Sequence, residues 1–273
     1  MKIRPVILCG GAGTRLWPQA KNNQVKQFID FGGWSLLEKT LYRVKGTTFD
    51  YPIISTNFKY LKKVRSYLKK FKFKKYKIIL EPAKKNTAPA ILSSALIKDI
   101  PSQQPLMFLP ADHLIEKVSL FNKAINKNKN NLNNQNIFIF GIKPTEPSSE
   151  YGYFLTKKIK ANINKVTKFI EKPKKNKAKQ IIKKKGYWNS GMFFIRKDSL
   201  INNFKKHQKK IYKNSLLSVN GSGASVSILR FSRHVPFSRP CGGLRQVPAR
   251  SFSCPTTNPV AVRLRRGGAA HRA

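Results

Sequence analysis

Hydrophobic residues in the first half of the chain follow two alternating rhythms. Short apolar runs at Val6-Ile7-Leu8, Pro52 to Thr56, Lys77 to Leu80, Leu106 to Leu109 and Ile137 to Ile142 lack the every-other-residue pattern of a half-exposed sheet. They predict strands, with Val6 to Leu8 buried and the all-apolar runs at Leu106 to Leu109 and Ile137 to Ile142 expected at the centre of a parallel sheet. Between them, apolar residues recur at helical spacing. Leu36, Leu37, Thr40, Leu41 and Val44 form one stripe, introduced by a Ser35–Glu38 capping box. Phe58, Leu61, Val64, Leu68 and Phe71 form a second, backed by lysine, and Thr87 is placed to cap a third helix carrying Ile91, Ala95 and Leu96. Strands alternating with helices predict an α/β fold, Rossmann-like, with a mostly parallel sheet flanked by helices.

After Ile142 the rhythm changes. Tyr151 to Leu155 and Val166 to Glu171 predict strands of a smaller subregion. Ala178 to Lys185 predicts a lysine-rich helix closed by Gly186, Tyr187 to Ile195 a further strand, and Asp198 the cap of a helix through His207. Trp188 and Phe193 are assigned to the core. Composition then breaks near residue 215: beyond it there is no Lys, Asp or Glu, and Arg, Ser, Gly and Pro dominate. The expected organisation is an incomplete domain over 1–214 and a low-complexity tail over 215–273 without a fold of its own. That tail reads either as a different coding source or as a natural basic extension.

The formal net charge is +44, from 55 basic and 11 acidic residues. Because the lysines are spread over nearly every expected surface, the charge predicts a solvated basic shell rather than a specific nucleic-acid site. Three scattered cysteines, Cys9, Cys241 and Cys254, outline neither a disulfide framework nor a zinc site. With no apolar run near the ~18 residues of a membrane span, the expectation is a cytoplasmic protein without membrane partners.

The most informative stretch is the end of the first strand, where Gly10, Gly11 and Gly13 precede Thr14 and Arg15. Glycines let backbone N–H groups approach an anion, and an arginine adds a charged fork. No Lys-Ser/Thr pair follows, as a Walker A loop requires, and Leu16 stands where a dinucleotide fingerprint needs its third glycine. A phosphate cradle and a bare strand-to-helix turn both fit the glycines alone.

This stretch, G-G-A-G-T-R-L-W-P, followed by Lys26-Gln27-Phe28, resembles the signature of the sugar-phosphate nucleotidyltransferases, in the mannose-1-phosphate guanylyltransferase branch. The resemblance continues through Glu81-Pro82 with Asn86-Thr87-Ala88-Pro89-Ala90, Leu109 to His113, Gly141 to Thr145, Tyr151-Gly152-Tyr153, Glu171-Lys172-Pro173 and Trp188 to Phe193. It implies transfer of a guanylyl group from GTP to mannose 1-phosphate, giving GDP-mannose for polysaccharide or glycan synthesis, with Mg²⁺ as cofactor. It implies catalytic roles for Arg15 and Lys26 on the triphosphate, and nucleotide contacts from Gly10, Gly11, Gly13, Thr14, Glu81, Asn86 and Thr87. Glu81 would accept the guanine N1–H and N2–H donors. Gly152, Glu171, Lys172 and Asn189 would hold the sugar phosphate, and Asp112 the metal. A homo-oligomer is compatible with the family.

The chain departs from the family pattern at Cys9, where alanine is usual, at Val25 in place of proline, and at Lys84-Lys85 in place of Gly-Arg. The family's second metal-binding aspartate, in a later Gly-Trp-x-Asp segment, has no counterpart after Asn214. A truncated, weakly active nucleotide-binding fragment is therefore the alternative expectation, with a basic nucleic-acid-binding protein behind it.

Overall fold

In the computed structural model, which describes residues 1–10, 25–30, 32–81, 87–160, 163–220, 228–230 and 260–265, the apolar runs become the centre of one mixed sheet. β1 (Arg4–Cys9) lies between β2 (Ile53–Asn57) and β4 (Pro105–Pro110), with β3 (Lys77–Glu81) outside β2, and all four run parallel. Val6 stands opposite Ile53 on one side and Phe108 on the other. Val6, Ile7, Ile53, Ile54, Ile78, Ile79 and residues 106–109 have no exposed surface, which is why these runs could not alternate. Burying each large side chain contributes roughly 1.5–3 kcal/mol over leaving it in water.

Helices cover both faces. Leu37 and Leu41 of α1 (Leu36–Arg43), Val64 and Leu68 of α2 (Leu61–Lys70), and Phe121 and Ile125 of α4 (Val118–Lys129) pack with Ile7, Ile54, Ile78 and Met107. On the other face Ile91 and Ala95 of α3 (Thr87–Leu96) and Leu200 of α6 (Lys197–His207) pack with Val6, Ile53, Ile79 and Phe108. The predicted α/β fold is thus the observed one.

Beyond β4 the sheet becomes mixed. β8 (Tyr187–Arg196) runs antiparallel to β4 and also to β5 (Asn136–Ile142), so β5 shares the direction of the central four. The first residues of β8 pair with β6 (Tyr153–Lys160), which forms an antiparallel ribbon with β7 (Ile163–Ile170). α5 (Lys175–Lys183) covers one face of this smaller subregion, with Ala178 and Ile181 against Tyr151, Tyr153 and Trp188.

Four local expectations need correction. Phe58 does not extend the α2 stripe: it lies in a 3-10 turn before the helix and is exposed. α4 was not foreseen in its Lys- and Asn-rich segment, although Phe121 and Ile125 bury one face. Asp198 lies inside the first turn of α6, paired with Arg196, which is itself the N-cap residue. Lys185, with φ +56°, and not Gly186, takes the left-handed conformation after α5.

The composition break does not coincide with an element boundary. α7 (Lys209–Asn220) runs through residue 215, and Ser215 and Ser218 are buried. Farther on, β9 (Ile228–Arg230) pairs parallel to β3, and β10 (Val260–Arg265) lies between β5 and β7. Among the described residues no helix is long and apolar enough to cross a membrane. Cys241 and Cys254 lie outside the described residues.

Candidate active site

The parallel strands deliver their C-terminal ends to one edge of the sheet, where open α/β sheets bind ligands. Gly10 follows β1 there. A Cβ on Gly10 would stand 2.8 Å and 2.9 Å from the two carboxylate oxygens of Glu81, the last residue of β3. A side chain there would displace the Glu81 carboxylate from this position. Ser55 Oγ, buried on β2, donates to Glu81 Oε1 at 2.6 Å, and Asn57 Nδ2 donates to the Glu81 carbonyl at 3.0 Å. Burial pushes the Glu81 carboxyl above the usual carboxylate range, against the opposing effect of the Ser55 bond.

Cys9 is fully enclosed beside them. Burial pushes its thiol up to about 12, reinforced by the negative charges of Asp112 and Glu81. It therefore stays protonated and is no nucleophile. Gln27 Nε2 and Thr56 Oγ1 both donate to the Cys9 carbonyl, which ties the Lys26–Phe28 turn to the end of β1. Lys26 is only 4 % exposed. Among the described residues the buried lysines are Lys26 and Lys197.

Asp112 follows the end of β4. The Ala111 N–H donates to the Leu8 carbonyl at 3.1 Å, which holds this turn beside β1. Burial lowers the pKa of His113; Asp112 opposes the shift, while the positive charges of Arg43 and Lys26 add to it. His113 thus feels the charges of both Asp112 and Lys26. Arg43, from α1, is fully buried, and its Nη2 donates to the His113 carbonyl at 2.8 Å and to Thr40 Oγ1 at 3.3 Å. Burial drives its pKa down to about 9. Among the described residues Nε and Nη1 of Arg43 meet no hydrogen-bond partner.

A second group gathers where β8 meets β6. The Asn189 N–H donates to the Gly152 carbonyl at 2.7 Å. A Cβ on Gly152 would stand 2.8 Å from Glu171 Oε2, so these three predicted residues adjoin one another. Lys172 follows with φ +43°, a conformation that turns the chain sharply before Pro173. Asn189 Oδ1 accepts the Gly191 N–H at 3.2 Å, and a Cβ on Gly191, with φ +72°, would lie 3.8 Å from Pro110 Cγ. Pro110 ends β4 two residues before Asp112, so this group borders the Asp112 turn. Thr87 opens α3 and is exposed. Gly11, Gly13, Thr14, Arg15 and Asn86 lie outside the described residues.

Comparison with known proteins decides the family: the model described as nucleotidyl transferase matches residues 4–229. The chain belongs to the nucleotidyl transferase family. Mannose-1-phosphate guanylyltransferase of Escherichia coli is 36 % identical to it over 77 % of this chain and 47 % of its own. Mannose-1-phosphate guanylyltransferase RfbM of Salmonella typhimurium is 33 % identical over 88 % of this chain and 51 % of its own. The chain therefore spans about half the length of the curated relatives it matches. Among solved structures, one described as mannose-6-phosphate isomerase from Helicobacter pylori superposes with a TM-score of 0.70 at 28 % identity, covering 85 % of this chain and 87 % of that one.

Asp112 offers hard carboxylate oxygen, but no cluster of three or more His, Cys, Asp or Glu able to hold a metal occurs among the described residues. Carboxylate oxygen is the donor type that Mg²⁺ takes. Sequence reasoning missed Ser55 and Arg43. Ser55 sits in an apolar strand and Arg43 at the end of an amphipathic helix. The one signal available was a charged residue four positions from Lys39 and three from Thr40 on a helix whose neighbours are core leucines.

Proposed function

We propose that this nucleotidyl transferase forms GDP-mannose and pyrophosphate from GTP and mannose 1-phosphate. The observation that supports the proposal is that three segments are tied to the end of β1: Gly10 packs against the Glu81 carboxylate, Gln27 bonds the Cys9 carbonyl from the turn that carries Lys26, and the Ala111 N–H bonds the Leu8 carbonyl from the turn that carries Asp112. The names of the guanylyltransferase relatives support the base and the sugar. Lys26 supplies a fixed positive charge to the phosphates, a role that its burial among so many solvated lysines supports. Arg15, by the family resemblance, adds a bidentate contact from the glycine loop. Glu81, ionised, accepts the two guanine N–H donors, while Gly152, Glu171, Lys172 and Asn189 orient the sugar phosphate for in-line attack on the α-phosphorus. Mg²⁺ held at Asp112 would neutralise phosphate charge as pyrophosphate departs.

Pyrophosphate release by the full chain tests this. Release is expected only with Mg²⁺, GTP and mannose 1-phosphate together, and weaker release with ATP or with glucose 1-phosphate. Absence of product at high enzyme concentration defeats the proposal, and nucleotide binding without product identifies an inactive fragment instead.

A further inference from the structure

The two faces of the β6–β7 ribbon are unlike. On the Tyr153 face, Ala178 and Ile181 of α5 seal the aromatic cluster. On the opposite face, Phe154 and Phe169 stand directly across from each other in register. Phe154 is fully buried and stacked against Tyr187, with ring centroids 5.8 Å apart. Phe169 remains 45 % exposed. Scattered exposed apolar side chains are ordinary, so exposure alone says little. What singles out Phe169 is its neighbour. A Cβ on Gly152 would meet Glu171 Oε2 at 2.8 Å and Phe169 Cζ at 3.1 Å. The ring and the carboxylate thus both close onto the bare Cα of Gly152, which sets an exposed aromatic ring beside a hydroxyl acceptor.

We propose that Phe169 is the apolar platform of the sugar end of this site, against which the C–H face of the hexose ring rests while Glu171 and Asn189 hold its hydroxyls. This deepens the proposed function and rests on Glu171 and Asn189 as sugar contacts. A pyranose has a polar rim and an apolar face, so a site made only of hydrogen-bonding groups leaves that face in water. An exposed ring beside a carboxylate supplies both halves of the recognition. A side chain at residue 152 would push the carboxylate and the ring out of this arrangement.

The test uses the full chain and reads substrates separately. Phe169→Ala is expected to raise KM for mannose 1-phosphate about tenfold and to weaken GDP-mannose binding, measured by calorimetry, by a similar factor, with KM for GTP unchanged. Phe169→Trp is expected to retain wild-type values. Phe169→Leu, which keeps apolar bulk without planarity, is expected to fall between, and it decides the matter if the alanine variant folds poorly by circular dichroism. Glu171→Gln is the reference for the site itself. If Glu171→Gln weakens GDP-mannose while Phe169→Ala and Phe169→Leu do not, the platform is overturned and the sugar site stands. If Glu171→Gln and Asn189→Ala also leave GDP-mannose and mannose 1-phosphate unaffected, the sugar site is elsewhere and the platform falls with it.

Discussion

Among the described residues, Arg43 carries its charge into the interior with a backbone carbonyl, a threonine hydroxyl and the Phe121 ring, 5.5 Å away, to receive it. Burying a cation without a counter-ion costs several kcal/mol, so stability alone does not account for an arginine there. Its carbonyl partner, His113, directly follows Asp112, which makes Arg43 a brace for the turn that presents the carboxylate. Arg43→Met is therefore expected to melt within a few degrees of the wild type while kcat falls about tenfold or more and the Mg²⁺ concentration for half-maximal rate rises. Normal turnover in a normally melting variant would refute the brace. Glu81 poses the opposite case, a carboxylate whose folded pKa is raised by burial, with Ser55 working against the shift. A raised acid is neutral more readily in the folded state, so its ionisation costs stability as pH rises from the ordinary carboxylate value of about 4.3 through the higher folded value. Glu81→Gln should thus melt higher than the wild type at pH 7, with the difference closing as pH falls toward 4. The same variant should lose the proposed preference for GTP over ATP, because the glutamine amide accepts through only one oxygen. Thermal melts across pH and competition between the two nucleotides check the two halves.

Elements were legible where local chemistry dictated them. The Ser35–Glu38 capping box forms as the sequence predicts, with Ser35 Oγ accepting from the Glu38 N–H at 3.3 Å and Glu38 Oε2 from the Ser35 N–H at 2.8 Å. The buried strands were legible because parallel pairing demands unbroken apolar runs. α4 was hidden because lysine and asparagine fill its exposed faces, leaving too few apolar positions to mark a period. Phe58 misled because it has the right spacing, yet Asn57 caps a 3-10 turn ahead of α2 by accepting from the Lys59 N–H. The end of α5 shows a subtler failure: a glycine was expected to supply the left-handed residue, and a lysine does. Gly186 serves close packing instead, since its N–H bonds the Ile181 carbonyl at 2.9 Å and a Cβ would run into Ile181 Cγ2. Two neighbouring substitutions therefore have opposite signs. Lys185→Gly relieves a left-handed lysine and should stabilise by about 1 kcal/mol. Gly186→Ala should destabilise by about 1–3 kcal/mol through overpacking. Urea unfolding of both variants checks the pair, and equal signs would contradict it.

At the scale of the whole molecule, the site was legible only in part. Gly10, Glu81 and Asp112 stand at strand ends that the pattern located, whereas Ser55 and Arg43 act through partners 26 and 70 residues away in sequence, and no local period records such pairings. The charge of +44 is legible in composition, but its consequence depends on where it lies. α2 illustrates the distribution: Leu61, Val64 and Leu68 are buried while lysines occupy the other face. Charge spread this way acts on two quantities at once. It repels itself in the compact state, and it draws anionic substrates toward the protein. Salt weakens both effects, since the screening length falls to about 10 Å at 0.1 M and shortens further above it. Adding sodium chloride should therefore raise the melting temperature while lowering kcat/KM for GTP, with kcat itself little changed because Lys26 is buried and less screened. A dedicated nucleic-acid surface would behave differently: duplex DNA would compete with GTP turnover even at moderate salt, and the affinity would show a steep logarithmic salt slope. A diffuse shell instead predicts DNA binding that disappears at salt concentrations where turnover persists, and joint measurement of melting, turnover and DNA competition along one salt titration distinguishes the two distributions of the same charge.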